Sequence, residues 1–486
     1  MSHNSRGGST AIYVLGSVTE GVLVMAFTMV LVRLIAPDEF GGWRQFAVLS
    51  GIVWNVATYG LSRSLGYFYS TAPANEQGAI ARRTLLICLG LAAICMTAFY
   101  AALPFAAERF DSPALRDEAG LFSLFLGLNF PIQIFITLLL AAGRRTTLAL
   151  AKLCFALLRL AALLVLVWSD ATLHNFLLAM NGFALVQLGI MLVLYQRTAG
   201  PVLSPLFQNA RAQGKFTADL TGQSAAGQFA VETDKLLVSA AYPPAKFAAY
   251  SVGARELPLV PLIPFSITES IAPDLSRMAV ARKQDEFRDL WHRWMGRAAL
   301  LMYPVFALVL FQHEAIIRVL YTAEYLDGAL PLLIIGCVIP QRVTSFYQIL
   351  LCLNRSRVVL WASVAMLFSN IVLSLLFMRL FGMWGPALAV LTSEYVINSF
   401  ALGQIARTMA LPISRVMPWS YLLKVLVTAV GAGALALPVL GLLPEAAVLW
   451  RLVAYGAVMM VIYGAAVLTL GLVTREDMKL LRARLP

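Results

Sequence analysis

Long apolar segments recur along the whole chain, and each is bounded by charged residues, proline or glycine. A helix needs about 20 mostly apolar residues to cross a hydrocarbon layer about 30 Å thick. Such segments cross as helices because no water is available there for the backbone, and the short alternating segments of a β-barrel are not seen. The pattern predicts fourteen membrane-spanning helices, near residues 11–33, 45–69, 84–107, 119–142, 147–168, 174–195, 219–241, 246–272, 297–313, 328–352, 357–380, 384–406, 420–442 and 449–473.

The composition agrees with this pattern. Hydrophobic residues make up 60% of the 486 residues and charged residues 13%, and the mean hydropathy is +0.78. The first apolar segment is full length and has no small-residue cleavage site, so we expect a retained first helix rather than a signal peptide. The predicted fold class is therefore an all-α polytopic membrane protein with about fourteen transmembrane helices.

The positive residues predict the orientation of these helices, because short loops rich in Lys and Arg stay on the cytoplasmic side. With the N-terminus inside, the cytoplasmic connections and both tails hold 23 of the 37 Lys and Arg residues, and the outer connections hold eight. We therefore expect both termini to be cytoplasmic. The net charge of +12 is mainly a topology signal, so no nucleic-acid partner is predicted.

Cysteine and histidine give no sign of a metal site or a catalytic centre. The five cysteines all lie in apolar segments, and the four histidines are scattered without a metal-binding spacing. We expect no metal, no cofactor and no catalytic residues, and the protein is not expected to be an enzyme.

Two similar segments indicate an internal repeat. Residues 35–43 and 242–250 both read Pro-x-x-Phe-x-x-aromatic, with an offset of 207 residues between Pro37 and Pro244. A second similarity relates Gly143-Arg-Arg-Thr to Asn354-Arg-Ser-Arg. Six spans per copy keep both copies in the same orientation, as in parallel transporter repeats. The predicted organisation is an N-lobe at 1–196, a cytoplasmic linker at 197–218, a C-lobe at 219–407, and two extra helices with a cytoplasmic tail at 408–486.

Three stretches carry a resemblance to a known family. They are Val32-Arg-Leu-Ile-Ala-Pro-Asp-Glu-Phe-Gly-Gly-Trp43, Thr233-Asp-Lys-Leu-Leu-Val238, and residues 352–357 with 381–389. They are similar to motifs of the multidrug/oligosaccharidyl-lipid/polysaccharide exporter superfamily, and within it of the Wzx-type O-antigen and exopolysaccharide flippases. Two positions depart from the pattern: Asn354 replaces the usual glycine, and Ser374 ends an Asn-x-x-x-Ser where Asn-x-x-Leu-Asn is usual. Residues 11–32 contain no arginine, which argues against the lipid II flippase branch.

The resemblance implies transport of a polyprenyl-diphosphate-linked oligosaccharide from the cytoplasmic to the outer leaflet of a bacterial inner membrane. The cargo would pass through a cleft between two six-helix lobes that opens alternately to each side. Membrane lipids, and a polysaccharide polymerase or export proteins, would be the partners. The alternatives are a drug or metabolite exporter or a lipid II flippase of the same superfamily, and a membrane-embedded polysaccharide polymerase or ligase.

Charged residues inside the predicted spans are the candidate site, because such residues are costly in lipid and normally face a cavity or the bundle interior. The candidate contacts to the diphosphate and sugars are Arg63, Arg159, Lys235, Arg255 and Arg342. The candidates for ion coupling or gating are Glu20, Glu232, Asp234, Glu256, Glu269 and Glu394. We hypothesise that Arg63 pairs with Glu269 across the empty cleft. A permanent ion pair and two snorkelling side chains are the alternatives.

Two local patterns refine these candidates. Pro258, Pro261 and Pro264 fall three residues apart in one predicted span, so that helix is expected to bend or unwind and to serve as a hinge. A static kink is the alternative. Glu232 and Lys235 are three residues apart and share a helix face, whereas Asp234 points to another face.

Overall fold

The computed structural model describes residues 3–473 except 169, 203, 208–209, 256–258 and 445–446. The described residues form helices and connections, with no strand among them. The α-helices are α1 His3–Leu34, α2 Pro37–Thr71, α3 Ala74–Arg109, α4 Pro113–Asp117, α5 Ala119–Ala141, α6 Arg145–Trp168, α7 Leu173–Ala199, α8 Ala210–Ala241, α9 Pro244–Gly253, α10 Leu259–Val280, α11 Gln284–Leu320, α12 Ala329–Gly336, α13 Phe346–Cys352, α14 Ser356–Phe381, α15 Gly385–Thr408, α16 Ile413–Val416, α17 Trp419–Ala436 and α18 Val448–Thr469.

Each of the fourteen predicted spans has a helical counterpart. Twelve of them coincide with a single long helix, and two are interrupted: 246–272 divides into α9 and α10, and 328–352 divides into α12 and α13. In the described residues, eight helical segments are long and apolar enough to cross a membrane by length and composition. The chain is thus a multi-pass, all-α membrane protein, as predicted.

The order of the helices repeats. Pro37 and Pro244 begin α2 and α9, Ala119 and Ala329 begin α5 and α12, and the starts of α7 and α15 are Leu173 and Gly385, so the offset lies between 207 and 212 residues. A proline is favoured at the first helical position, because its missing N–H has no partner within the helix there. The order of helix starts agrees with the predicted repeat, and α17 and α18 follow it; the division into two six-helix sets of the same orientation stays a prediction.

The chain divides into two compact units, Met1–Ala248 and Ala249–Pro486. Helix α8 belongs to the first unit because it packs along α2. At their contact, a Cβ on Gly60 would lie 2.3 Å from the carbonyl oxygen of Thr217. The start of α8 is also anchored to α3: the buried Arg83 donates from Nε to Gln213 Oε1 at 2.9 Å and from Nη1 to the Leu206 carbonyl at 3.1 Å. The assignment of α8 to the second lobe rests on the repeat and stays a prediction, as do the other lobe boundaries.

The two copies of the repeated motif meet inside the first unit. Asp38 Oδ1 accepts a hydrogen bond from the backbone N–H of Ala245 at 3.2 Å, and these residues are 207 positions apart. A Cβ on Gly41 would lie 2.2 Å from the Pro244 carbonyl oxygen, so only glycine permits this approach. The helix start at Pro244 is therefore held against the first turns of α2.

The connections at this end of the first unit also meet. Asp38, Asp111, Thr172 and Pro243 line one surface pocket, and they come from the first, third, fifth and seventh connections between predicted spans. The charge pattern places all four on the same side of the membrane. Helices that cross the membrane in alternate directions bring every second connection to one end, as observed.

The core of the second unit is formed around α11, which packs on α10, α17 and α18. Trp291 is buried and donates from Nε1 to Thr344 Oγ1 at 2.8 Å, and Tyr303 donates to the Pro340 carbonyl at 3.2 Å. Thr344 and Pro340 lie in the break between α12 and α13. The Tyr303 hydroxyl pairs the Pro340 carbonyl, a backbone group that a continuous helix would pair itself, and Trp291 pairs a side-chain hydroxyl of the same break.

Candidate functional site

One pocket of the first unit contains three of the charged residues inside the spans. Lys152 on α6 donates from Nζ to Glu20 Oε2 on α1 at 2.9 Å. Arg159 lies seven residues after Lys152, which is two helical turns, so both cations project from one face of α6. The pocket is lined by Glu20, Val24, Ile136, Leu148, Lys152, Phe155, Ala156, Arg159, Gln187 and Met191.

Arg159 is held differently from Lys152. Its guanidinium lies 5.4 Å from the centre of the Phe183 ring on α7, within the range of a cation–π contact. Its Nε is buried and has no hydrogen-bond partner among the described residues. Glu20 is the carboxylate whose charge acts on it. The guanidinium therefore keeps at least one donor that a ligand could use.

The second cluster lies on α8. Lys235 Nζ is 3.0 Å from Glu232 Oε2 and 3.7 Å from Asp234 Oδ1, so the lysine bridges two carboxylates. The side chain of Asp234 is 3% exposed and that of Glu232 is 23% exposed, so their surroundings differ, although both carboxylates reach the same ammonium group. The positive charge of Arg44 on α2 also acts on Lys235.

The third cluster lies in the second unit, beside the break between α12 and α13. Arg342 Nη2 donates to Glu394 Oε1 on α15 at 2.9 Å. The amide of Asn398 donates to Gln341 Oε1 at 3.0 Å and to Glu394 Oε2 at 3.3 Å. Irregular backbone at membrane depth is tolerated where it is buried in protein or lines a cavity, and these polar side chains surround it here.

The remaining predicted site residues lie apart from these clusters. Arg63 on α2 is exposed, with its guanidinium 5.4 Å from the centre of the Tyr59 ring, and Arg255 is exposed at the bend after α9. Glu256 and Pro258 lie outside the described residues, as do the side chains of Glu269 and Pro261. The Arg63–Glu269 pair stays a prediction.

The predicted hinge coincides with a helix break. Helix α9 ends at Gly253, Ala254 and Arg255 are bends, and Pro264 is buried inside α10, which begins at Leu259. In the described residues the helix is therefore interrupted just before the proline-rich segment. That this segment moves during transport stays a prediction.

The three clusters differ in net charge. The residues that line the first pocket include two cations and one carboxylate, so their sum is +1. Lys235 with Glu232 and Asp234 gives −1, or zero when Arg44 is included, and Arg342 with Glu394 gives zero. A buried cation without a matching anion is costly. The pocket between α1, α6 and α7 is thus the described cluster best suited to an anion.

Sequence reasoning missed one member of this pocket. Lys152 was not among the candidates because it lies near the predicted start of its span. Its spacing of seven residues from Arg159 is the signal that could have found it. Its partner Glu20 lies 132 residues away, and only the packing of α1 against α6 brings the two together.

Comparison with solved structures supports the fold. The chain is similar to a lipid II flippase MurJ in an inward closed conformation, with a TM-score of 0.73 and 12% identity, covering 95% of this chain and 99% of that one. It is also similar to an inward-facing MATE family multidrug transporter of the MOP superfamily, with a TM-score of 0.65, 11% identity and 80% and 96% covered. The Vibrio cholerae MATE transporter VcmN in its bent form gives a TM-score of 0.53, 14% identity and 84% and 98% covered.

The sequence itself gives one family assignment. A search of curated proteins finds no match. A family model described as polysaccharide biosynthesis protein matches residues 30–330, which is more than half of the chain. The fold likeness and this match confirm the resemblance to the exporter superfamily, and the chain belongs to the family of polysaccharide biosynthesis proteins.

Proposed function

We propose that the protein moves a polyprenyl-diphosphate-linked oligosaccharide from the cytoplasmic to the outer leaflet of a bacterial inner membrane. The observation that carries this proposal is membership of a polysaccharide biosynthesis family on a fold shared with a lipid II flippase. Polysaccharide made from lipid-linked units on one side of a membrane needs a carrier for the charged headgroup. We propose a multi-pass transporter with both termini cytoplasmic for this step.

The physical difficulty of this reaction is the headgroup. A diphosphate with attached sugars carries negative charge and many hydroxyl groups, and its hydration must be replaced as it crosses the hydrocarbon layer. Arginine and lysine replace that hydration for phosphate oxygens, and arginine adds a planar pair of donors. The net positive pocket of Glu20, Lys152 and Arg159 supports an anionic cargo over a cationic drug.

Alternating access is the proposed mechanism. Two six-helix sets in the same orientation provide two bodies that can rock about a central site. The end of α9 at Gly253 and the bends at Ala254 and Arg255, shortly before Pro261 and Pro264, support a hinge at the start of the second set. A polysaccharide polymerase or export proteins would receive the cargo on the outer side.

The experiment is deletion of the gene in its host, with lipid-linked repeat units measured in each leaflet. We expect these units to accumulate on the inner leaflet and the surface polysaccharide to be lost, and wild-type protein to restore export. A variant at an exposed cytoplasmic arginine, Arg357→Gln, should restore it equally.

Three other results would contradict the proposal. Accumulation of lipid II with normal polysaccharide would assign the protein to peptidoglycan precursors. Normal polysaccharide together with increased sensitivity to cationic drugs would assign it to drug export. If the protein were instead a membrane-embedded polymerase or ligase, its deletion would leave single repeat units on the outer leaflet.

A further inference from the structure

The pocket of the first unit combines two groups that sequence reasoning assigned to different roles. Glu20 was a candidate for ion coupling and Arg159 a candidate for headgroup binding. In the structure they line one pocket, and Lys152 bonds to Glu20 at 2.9 Å. The pocket thus holds one anion on α1 and two cations on α6.

We propose that the Glu20 carboxylate is an internal substitute for a diphosphate: the diphosphate displaces it and binds Lys152 and Arg159 in its place. The identity of the anion rests on the proposed function. The pocket therefore takes the diphosphate part of the cargo, and when no cargo is bound Glu20 pairs with Lys152 while its charge acts on Arg159.

The size of the pocket supports displacement over simple addition. With Glu20 in place the free space is about 30 Å³, which is room for about two water molecules. A diphosphate group is several times larger than a water molecule, so it cannot enter beside the carboxylate. Removal of the carboxylate from Lys152 would open the space next to both cations.

Glu20 is the more accessible partner of the ion pair. Its side chain is 33% exposed and the Lys152 side chain is 19% exposed, so the carboxylate is the group that the proposed displacement moves. Arg159 is fixed by Phe183 and keeps a buried Nε without a hydrogen-bond partner among the described residues. An anion that replaces Glu20 would gain this donor.

The charge balance supports the same step. A permanent structural pair is best matched one to one, because an excess buried charge is costly. Here the lining residues leave one positive charge in excess. A diphosphate carries more negative charge than one carboxylate and can neutralise both cations.

The test measures the affinity of the purified protein in phosphatidylcholine nanodiscs for farnesyl diphosphate, with inorganic pyrophosphate as competitor. Lys152→Gln and Arg159→Gln should each weaken binding by about tenfold or more, since a charge-assisted hydrogen bond is worth about 1.5 to 3 kcal/mol and tenfold corresponds to about 1.4 kcal/mol. Glu20→Gln should instead tighten binding by about three- to tenfold, because the internal competitor is gone. Arg357→Gln is the control and should bind as wild type.

An affinity of Glu20→Gln that is equal to or weaker than wild type overturns the proposal, because a structural carboxylate gives no tightening. Failure of pyrophosphate to compete overturns it too, because the probe then binds through its prenyl chain. If Arg159→Gln does not fold, as judged by gel filtration, Arg159→Lys replaces it. That variant keeps the positive charge but loses the planar pair of N–H donors, so it should weaken binding less than Lys152→Gln does.

The outcomes of this test and of the gene deletion are independent. If deletion leaves polysaccharide export normal while the variants bind as expected, the pocket is a diphosphate site of a transporter with another cargo. If deletion blocks export but Arg159→Gln restores it fully, the proposed function stands and the pocket inference falls.

Discussion

The close approach between Gly41 and Pro244 gives a prediction that can be worked from the structure. Gly41→Ala places a Cβ 2.2 Å from a carbonyl oxygen and 2.4 Å from a carbonyl carbon of Pro244. Ordinary contacts begin at 3.4 Å, so α2 and the start of α9 must separate by about 1 Å. Both atoms belong to the backbone and cannot rotate away. We expect a cost of about 3 kcal/mol, at the upper end for overpacking.

Gly51→Ala is the matched control on the same helix. Nothing lies within 4 Å of a Cβ at Gly51, so the substitution adds only helix propensity and should stabilise by up to about 1 kcal/mol. The two variants should therefore differ by about 4 kcal/mol in the free energy of unfolding.

The assay is unfolding of each purified variant in mixed micelles titrated with sodium dodecyl sulfate, followed by circular dichroism. If Gly41→Ala is as stable as Gly51→Ala, the contact between the two copies of the motif does not exist in the membrane-embedded protein. Loss of the Asp38–Ala245 hydrogen bond alone would give a smaller effect, of about 1 kcal/mol.

Three further predictions concern individual side chains. Arg83→Met should destabilise the protein by about 2 to 4 kcal/mol, because it leaves buried acceptors unpaired. The control Arg82→Met, at an exposed neighbour, should change stability by less than about 0.5 kcal/mol. Equal effects of the two substitutions in thermal unfolding would contradict the anchoring of α8. Ala substitutions of Arg342 and Glu394 should be coupled by about 1 to 3 kcal/mol in a double-mutant cycle of stability, and additive effects would show that their 2.9 Å contact contributes nothing. Arg63→Ala should reduce polysaccharide export at equal protein level, and normal export would remove Arg63 from the phosphate-binding residues.

The sequence by itself determined the class of the protein and the order of its helices. Fourteen apolar segments predicted fourteen helical spans, because burial of a continuous apolar stretch is a local property that each segment carries alone. The motif at Pro37 and Pro244 predicted the repeat, since a proline begins a helix wherever it occurs in that context. The prolines at 258, 261 and 264 likewise predicted an interruption, and in the described residues α9 ends at Gly253 with bends at Ala254 and Arg255.

Only the tertiary structure decided which charges meet. Glu20 contacts Lys152 rather than acting alone, Lys235 bridges Glu232 and Asp234, and α8 packs along α2 in the first unit. The break between α12 and α13 carries a single proline, Pro340, and prolines such as Pro304 lie inside α-helices, so the break also depends on side chains such as Trp291 and Tyr303 that bond its backbone or its polar groups. These features depend on how helices that are far apart in the chain rotate and pack. The length of an apolar segment determines neither the rotation nor the packing.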